Sequence, residues 1–288
     1  MKVDLHKTIV VDKLVLSFLA LLPTQSTRKK TLVLNKNCYL QLTEITDKKF
    51  GSVYNLYIDS HLIGKVKAHP YELFIDSDLV HLQFENYLLY SQHFLNNITY
   101  LTDVLNFRYK QIVTLDIAVD CVKHELLEFV NKVLKSKHIT MKGKGKIYPV
   151  YGKQSKSLES VYFGKSTSEK QIKIYNKSLE LTVNDKPYIK YFWDANHLNH
   201  KENIVERLEL TLKNRLLKNI NVFALNNCNY MASILQLHFK NFFEFKSTYR
   251  QHNKTAVKST TPIDLSGFKT TKLYKPDRSV RTLCYPLK

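Results

Sequence analysis

The sequence predicts an α+β protein built on an antiparallel β-sheet that is flanked by amphipathic helices. Glycine and proline are scarce, at seven residues each, whereas tyrosine (18) and phenylalanine (15) are abundant. Short segments with alternating apolar residues recur along the chain, as in half-buried strands, and segments with helical spacing lie between them. An apolar fraction of 44% in 288 residues is enough for a substantial core.

The first part of the chain, residues 1–105, is predicted to be a β-rich lobe. An alternating segment, residues 12–18, forms its first strand, and a basic, Thr-rich connection follows at residues 24–31. Further strands with short turns between them are expected at residues 39–46, 52–58, 62–66 and 79–84. Residues 95–105 space their apolar side chains at helical intervals, so a helix ends this lobe.

Residues 106–247 are predicted to hold the chemistry, on three amphipathic strands. These strands are residues 114–120, 171–175 and 205–212. On each strand, two polar or charged side chains occupy the face opposite the apolar residues. In chain order these side chains are Asp116 and Asp120, Lys173 and Tyr175, and Arg207 and Glu209. If the strands are neighbours in one antiparallel sheet, the three polar faces converge on one site.

Spacing divides the carboxylates between roles. Asp116 and Asp120 are four residues apart, roughly 13 Å in a regular strand, so they do not share one ion unless a bulge intervenes. Asp116 and Glu209, on adjacent strands, are the better pair of metal ligands, and salt bridging on a solvated sheet face is their alternative role. An alternative role for Asp120 is to cap the helix that begins beside it. Glu206 lies on the same strand face as the leucines and is therefore expected to be structural.

The connections between these strands differ in composition. An amphipathic helix is expected over residues 122–134, and a loop rich in lysine and glycine follows at residues 137–156. A polar turn, residues 165–170, then joins two extended segments, and an Asn-rich polar insertion precedes the third strand. A long amphipathic segment covers residues 225–245, and residues 248–288 are predicted to be a basic tail.

Charge is the strongest compositional signal. Lys+Arg 44 against Asp+Glu 25 gives a net charge of +19, which suits a polyanionic partner, nucleic acid above all. Aromatic residues interleave with lysines, so rings can stack on bases while the cations hold the backbone. Lys142, Lys144 and Lys146, separated by glycines, are candidate DNA contacts together with Lys177. A solvated loop tip is the alternative for the first three.

Cysteine use and hydropathy indicate a cytosolic protein. The four cysteines, Cys38, Cys121, Cys228 and Cys284, lie far apart without a CxxC pair, which favours a reducing compartment over a zinc ribbon or a disulfide framework. The apolar run at residues 14–22 is too short to span a bilayer and lacks the features of a signal peptide. We therefore expect a cytoplasmic location and no membrane partner.

The polar faces together fit phosphodiester transfer to a tyrosine. Tyr175 lies between Lys173 and Lys177, which attract phosphate, but a phenol with a pKa of about 10 is a poor nucleophile without help. Mg²⁺ or Mn²⁺ held by carboxylates can polarise the phosphate, and Lys173 or Arg207 can steady its oxygens. Packing of the ring at a sheet edge is the alternative for Tyr175, and Tyr162 is the second candidate nucleophile.

These residues resemble the motif succession of a known family. The motifs are, in order, TLDIAVD, YFGKSTSEKQIKIYNKSLE and VERLEL. They resemble those of replication initiation factors of the Rep_trans type, which are rolling-circle initiators of plasmids and phages, related to staphylococcal plasmid initiators and some conjugative relaxases. Thr114 and Lys173 stand where the family pattern has arginine. The His-hydrophobic-His pair of the wider class is absent, since His197 and His200 have the wrong spacing.

The resemblance implies an antiparallel catalytic sheet of the HUH-like rolling-circle initiator type, with Tyr175 as the nucleophile. It implies nicking at a double-strand origin with a divalent metal, leaving a 5′-phosphotyrosine and a free 3′-OH. Expected partners are double-stranded origin DNA, single-stranded DNA, a helicase of the bacterial host and a second copy of the chain. A non-catalytic nucleic-acid-binding regulator, and a relaxase or transposase with the same chemistry, are the alternatives.

Overall fold

The computed structural model describes most of the chain between residues 7 and 260. The described residues are 7–22, 30–72, 75–91, 94–122, 125–136, 139–142, 146–152, 156–239, 244–251 and 254–260. In the segments 139–142, 244–251 and 254–260 the backbone alone is described. Some predicted features lie outside the described residues. They are Lys144, Cys284, the greater part of the Thr-rich connection and the tail beyond residue 260.

The strands of the described chain form two antiparallel sheets. They are β1 (Lys7–Leu19), β2 (Thr31–Asn35), β3 (Cys38–Leu42), β4 (Phe50–Ile58), β5 (His61–Pro70), β6 (Leu79–Phe84), β7 (Arg108–Val122), β8 (Ile139–Lys142), β9 (Ile147–Tyr151), β10 (Leu158–Phe163), β11 (Lys170–Asn176), β12 (Val205–Lys213), β13 (Glu244–Gln251) and β14 (Lys254–Thr260). The large sheet has the order β2-β3-β4-β5-β6-β1-β7-β12-β11-β10-β9, and the small one has the order β14-β13-β8. The predicted adjacency of the three amphipathic strands, β7, β12 and β11, is confirmed.

Helices accompany the sheet, so the predicted α+β class with flanking amphipathic helices is confirmed. They are α1 (Asn86–Leu89), α2 (Phe94–Asp103), α3 (Leu126–Lys135), α4 (Lys177–Val183), α5 (Pro187–Ala195) and α6 (Cys228–Phe239), with short 3-10 helices at Asn214–Leu217 and Val222–Ala224. Helices α2 and α3 match the two helical patterns in the sequence. Among the described residues, no helix has the length and apolar character needed to cross a membrane.

Several elements differ from the sequence-based expectations. Helices α4 and α5 lie in the segment after Tyr175 that the sequence pattern presents as a polar insertion, and β2 and β9 are strands that the pattern does not predict. Helix α6 is shorter than the predicted amphipathic segment at residues 225–245. Strands β13 and β14 pair with each other, so part of the predicted tail is a β-hairpin. The predicted division of the chain at residues 105 and 247 stays a prediction.

By its contacts the chain divides into two compact units. The first unit takes its described residues from 1–10, 117–212 and 224–272. The second unit takes them from 11–116, 213–223 and 273–288. In the second unit the strand pairs from β2 to β6 and on to β1 follow a meander with antiparallel registers, as the alternating pattern predicts.

His81 is a half-buried titratable group of the second unit. It lies on β6 with its ring centroid 4.8 Å from that of Phe50. Burial lowers the pKa of His81 to about 4, Lys67 and Lys49 act in the same direction, and Asp47 opposes them. The folded state therefore disfavours the protonated imidazole.

Acidification is expected to destabilise the protein through His81. An unfolded histidine has a pKa of about 6.5, so between there and about 4 the unfolded state takes up a proton that the folded state does not, and stability is lost as the pH falls. The loss is roughly 2 kcal/mol, because solvent screening reduces the full value for this half-buried ring. Urea unfolding of wild type and His81→Gln across this pH range measures it, and His61→Gln is the control. An equally steep decline in His81→Gln would rule out His81 as the source.

The first unit buries one face of β10, β11 and β12. Alternate residues on these strands are fully buried; they are Val161, Phe163, Ile172, Ile174, Leu208 and Leu210. Helix α3 packs against β10 and β11 and buries its own apolar stripe, as its spacing predicts. Since side chains alternate along a strand, the other face of the same three strands carries the polar residues.

The start of α3 is held by Glu206 of β12. The backbone N–H groups of Leu126 and Leu127 donate to the two Glu206 carboxylate oxygens, at 2.5 and 3.3 Å. Burial raises the pKa of Glu206, and these two hydrogen bonds oppose that shift. Glu206 thus has the structural role expected of it, whereas the helix cap suggested as an alternative for Asp120 is wrong, because Asp120 has other partners.

Candidate active site

Two rows of side chains cross the polar face of β10, β11 and β12. In one row Tyr162 lies opposite Lys173, and Lys173 lies opposite Glu209. In the next row Ser160 lies opposite Tyr175, and Tyr175 lies opposite Arg207. Directly opposed residues in an antiparallel sheet point to the same face. The register therefore brings Lys173 and Tyr175 of one predicted motif beside Glu209 and Arg207 of another.

Tyr175, Glu209 and Lys173 form one hydrogen-bonded group. The Tyr175 hydroxyl donates to Glu209 Oε2 at 3.1 Å, and the Lys173 ammonium donates to Glu209 Oε1 at 2.6 Å. The Glu209 side chain is 5% exposed and that of Lys173 is 27% exposed. A carboxylate that is fixed by an ammonium group and hydrogen-bonded to a phenol can accept the phenol proton.

A cleft of about 440 Å³ opens over this group. Its floor is the polar face of β10 and β11, including Tyr162 and Tyr175, and Glu209 reaches it from β12. Its wall is α4, which begins directly after β11 and contributes Leu179 and Val183. The volume lies within the range of about 300–1,000 Å³ that is usual for ligand pockets.

Lys177, a predicted DNA contact, is the first residue of α4 and is only 2% exposed. Its ammonium group donates to Glu180 and lies 5.5 Å from the centroid of the Tyr175 ring. Burial raises the pKa of Glu180, but the hydrogen bond and charge of Lys177, aided by Lys186, bring that pKa below its ordinary value. In this structure Lys177 joins α4 to the ring of Tyr175.

Arg207 and Asp120 form a fully buried ion pair on the polar face. Arg207 Nε and Nη2 donate to the two oxygens of Asp120 at 2.5 and 2.7 Å, and both side chains are 0% exposed. Trp193 Nε1 on α5 donates to Asp120 Oδ2 at 2.7 Å. This network links β7, β12 and α5 within the first unit, and it fixes the strand that carries Glu209.

The remaining predicted residues are Asp116 and the three lysines of the loop rich in lysine and glycine. Asp116 is buried, at 6% exposed, in the part of β7 that belongs to the second unit. Lys142 is the last residue of β8, where the backbone alone is described, and Lys144 lies outside the described residues. Lys146 is exposed directly before β9. The DNA-binding and metal-binding roles proposed for these residues stay predictions.

Sequence reasoning missed the contribution of α4 and α5. Trp193 belongs to a helix with Pro187 at its start, and with Ile189, Phe192 and Trp193 buried at helical spacing. That spacing and that proline were the available signals. Asn176 was a start signal for α4, since its side chain accepts from the Leu179 backbone N–H at 2.9 Å.

The carboxylate oxygens of Asp120 and Glu209 accept hydrogen bonds from other side chains. Within the described ranges, no three His, Cys, Asp or Glu side chains lie close enough together to hold a metal. Both oxygens of Asp120 accept from Arg207, one of them also from Trp193, and the two oxygens of Glu209 accept from Lys173 and Tyr175. The predicted Mg²⁺ or Mn²⁺ requirement therefore stays a prediction.

Comparison with family models defines the chain as a DNA replication protein. A family model that describes the N-terminal part of a phage replication-associated protein matches residues 75–244, which is more than half of the chain. The chain therefore belongs to this phage family of rolling-circle replication initiation proteins. The predicted resemblance to replication initiators is confirmed.

Two further comparisons concern structure and curated sequences. A solved rolling circle replication initiator protein from Geobacillus stearothermophilus is similar over 86% of this chain and 89% of that chain, with 14% identity and a TM-score of 0.48. No curated protein matches the chain in sequence.

Proposed function

We propose that this replication initiator nicks one strand of its origin DNA by transferring a phosphodiester to Tyr175. The Tyr175 oxygen forms a bond to phosphorus, and the bond from phosphorus to the 3′ oxygen of the preceding nucleotide breaks. The products are a 5′-phosphotyrosine and a free 3′-OH from which a polymerase can extend, after a host helicase has opened the duplex. The observation that supports this proposal is the hydrogen bond from Tyr175 to Glu209 on the floor of an open cleft.

Glu209 is the proton acceptor in this proposal. In water a phenol and a carboxylic acid differ in pKa by about six units, which is about 8 kcal/mol against full proton transfer before attack. The transfer therefore accompanies bond formation to phosphorus, which makes the phenol proton far more acidic. The departing 3′ oxygen takes up a proton in the same reaction, so no net acid or base is consumed.

The two lysines have different tasks. Lys173 holds one Glu209 oxygen and is partly exposed, so its ammonium can also attract the oxygens of the bound phosphate. Lys177 is buried and fixes the ring of Tyr175 relative to α4 through Glu180. We propose phosphate binding for Lys173 and positioning for Lys177.

Arg207 is proposed as a positioning residue. Its guanidinium is fully buried against Asp120, so a phosphate would have to displace an ion pair to reach it. It lies directly opposite Tyr175, two residues before Glu209 on the same strand. By fixing β12, Arg207 and Asp120 hold the proton acceptor beside the nucleophile.

A covalent adduct with DNA tests the proposal. Purified protein is mixed with supercoiled plasmid that bears its own origin, and attachment of protein to DNA is followed on denaturing gels. Members of this family often use a metal ion, so the assay is run after chelation and again with Mg²⁺ or Mn²⁺ added. Tight, salt-sensitive binding without any adduct would favour the non-catalytic regulator.

Glu209→Gln is expected to slow adduct formation by about 10²- to 10⁴-fold while DNA binding is retained. Glutamine keeps the shape and an acceptor oxygen near Tyr175, but it removes the proton acceptor. Single-turnover adduct formation measures the rate, and gel shift measures the binding. Glu128→Gln, an exposed glutamate on α3, is the matched control. A rate for Glu209→Gln within a few-fold of the wild-type rate would remove Glu209 from the mechanism.

A further inference from the structure

We infer that the cleft beside Tyr175 binds one nucleobase of single-stranded DNA, the base next to the phosphate that Tyr175 attacks. This inference rests on the proposed function, because it takes the DNA to be the substrate of Tyr175. It assigns to Leu179, Val183 and Tyr162 a role in selecting the nicking site. All of these residues lie in the first unit.

The wall of the cleft exposes two aliphatic side chains. Leu179 is 43% exposed and Val183 is 79% exposed, and both line the cleft. They are four residues apart on α4, so they lie on the same side of the helix. Large exposed apolar side chains beside a site commonly mark a binding surface. Here they form an apolar surface that a ligand can cover.

The wall is held in a fixed position relative to the nucleophile. Asn176 joins the strand of Tyr175 to α4 and caps the helix through the Leu179 backbone N–H. Lys177 binds Glu180 one turn further on and lies over the Tyr175 ring. A ligand on the wall therefore lies at a set distance from the attacking oxygen.

The floor of the cleft carries two aromatic residues. Tyr162 and Tyr175 lie on adjacent strands as diagonal neighbours, since Tyr162 is paired with Lys173 and Tyr175 with Ser160. Diagonal neighbours on one sheet face are about 7–8 Å apart, within reach of large side chains. Two aromatic rings and two aliphatic side chains that line one cleft suit a flat ligand with two apolar faces, as a nucleobase has.

The polar groups of the lining can hydrogen-bond to a base next to the wall. Glu180 and Asn184 line the cleft from α4 and its C-terminal end, Glu159 lines it from β10, and Lys173 lies on the floor beside Glu209. Glu180 is paired with Lys177 and Lys186, but carboxylate oxygens can accept hydrogen bonds from the exocyclic amino group of a base, and an amide donates or accepts. The Lys173 ammonium attracts a phosphate. The phosphate is thus directed to Lys173 and the base to α4.

The test is a double-mutant cycle, in which wall residues of the protein and single bases of the DNA are removed separately and together, and the change in Kd is measured. The probe is a single-stranded oligonucleotide selected from a random library by its retention on the Tyr175→Phe variant, in which covalent attachment does not disturb the measured Kd. Each base of this probe is removed in turn to give a series of abasic oligonucleotides. Kd values are then measured with Tyr175→Phe alone and with Leu179→Ala and Val183→Ala added.

We expect one abasic position to weaken binding by about 5- to 150-fold with the intact wall. The protein that also carries Leu179→Ala and Val183→Ala is called the wall variant. On the probe that lacks this one base, the wall variant should bind almost as tightly as Tyr175→Phe alone, because the wall then has no base to contact. The wall variant itself binds the intact probe about tenfold more weakly, from the apolar area that is no longer covered. Leu237→Ala, an exposed leucine on α6, is the matched control and keeps the wild-type pattern.

Two outcomes separate this inference from the proposed function. If removal of a base changes the Kd equally at every position, both in Tyr175→Phe and in the wall variant, the base subsite is overturned even if the adduct with Tyr175 forms. Coupling at one position without any adduct from the wild-type protein would uphold the base subsite and overturn the transfer to Tyr175. Because both wall residues are exposed, their removal leaves the core intact.

Discussion

Tyr175→Phe is expected to abolish the covalent adduct with origin DNA and to leave DNA binding within a few-fold of the wild-type affinity. The change removes one oxygen, which is the atom that forms the bond to phosphorus, and it keeps the ring on the cleft floor. No neighbouring group replaces that bond in the proposed mechanism, so the loss exceeds that of Glu209→Gln. Denaturing gels detect the adduct, and mass spectrometry of the digested adduct locates the modified tyrosine.

Two further tyrosines make this result specific. Tyr191→Phe, on the exposed side of α5, is the control that keeps the adduct. Tyr162→Phe examines the second candidate nucleophile, which lies in the same cleft. If the adduct persists in Tyr175→Phe and is lost in Tyr162→Phe, the nucleophile is Tyr162.

Asp120→Asn is expected to lower the free energy of unfolding by about 3–5 kcal/mol. The asparagine keeps nearly the same shape, but it leaves the fully buried Arg207 guanidinium without a counter-charge. Urea unfolding measures the loss. Within folded protein, adduct formation should also slow, because the strand that carries Glu209 is no longer fixed.

A paired replacement separates the ion pair from the packing around it. Asp120→Leu combined with Arg207→Met removes both charges, and replacing a buried pair by apolar residues is often neutral or stabilising. We expect this double variant to recover most of the lost stability, apart from about 1–3 kcal/mol for the Trp193 N–H, which loses its acceptor. A double variant as unstable as Asp120→Asn would show that the charges are not the cause.

Alternation and motif order predicted the parts of the fold that depend on local pattern. Strands β7, β11 and β12 were expected because each repeats apolar residues with period two, and α3 because its stripe is strongly amphipathic. Helices α4 and α5 were not expected, since asparagines and lysines around them suggested a polar insertion. The signals for these helices are a capping Asn176 and Pro187 at a first helical position, and both are local to a segment whose composition is otherwise polar.

The site was predictable in its members and less so in its contacts. Because side chains alternate along a strand, the sequence pattern places Tyr175, Lys173 and Glu209 on one face of the sheet. The strand register brings them within hydrogen-bond distance. The same pattern could not distinguish Arg207 from Lys173, although one is buried and the other partly exposed. Burial depends on which elements cover a face, and Trp193 reaches Asp120 from a helix 73 positions along the chain. Sequence pattern carries no such long-range information.

The antiparallel pairing of β11 with β12 restricts where this chain can change in length. Side chains alternate along a strand, so one inserted or deleted residue within β11 would turn Tyr175 to the apolar face and separate it from Glu209. The same change among the residues that separate α5 from β12 leaves the register intact, because a loop absorbs it. Insertions and deletions in related chains should therefore concentrate between the paired strands and avoid the strands themselves.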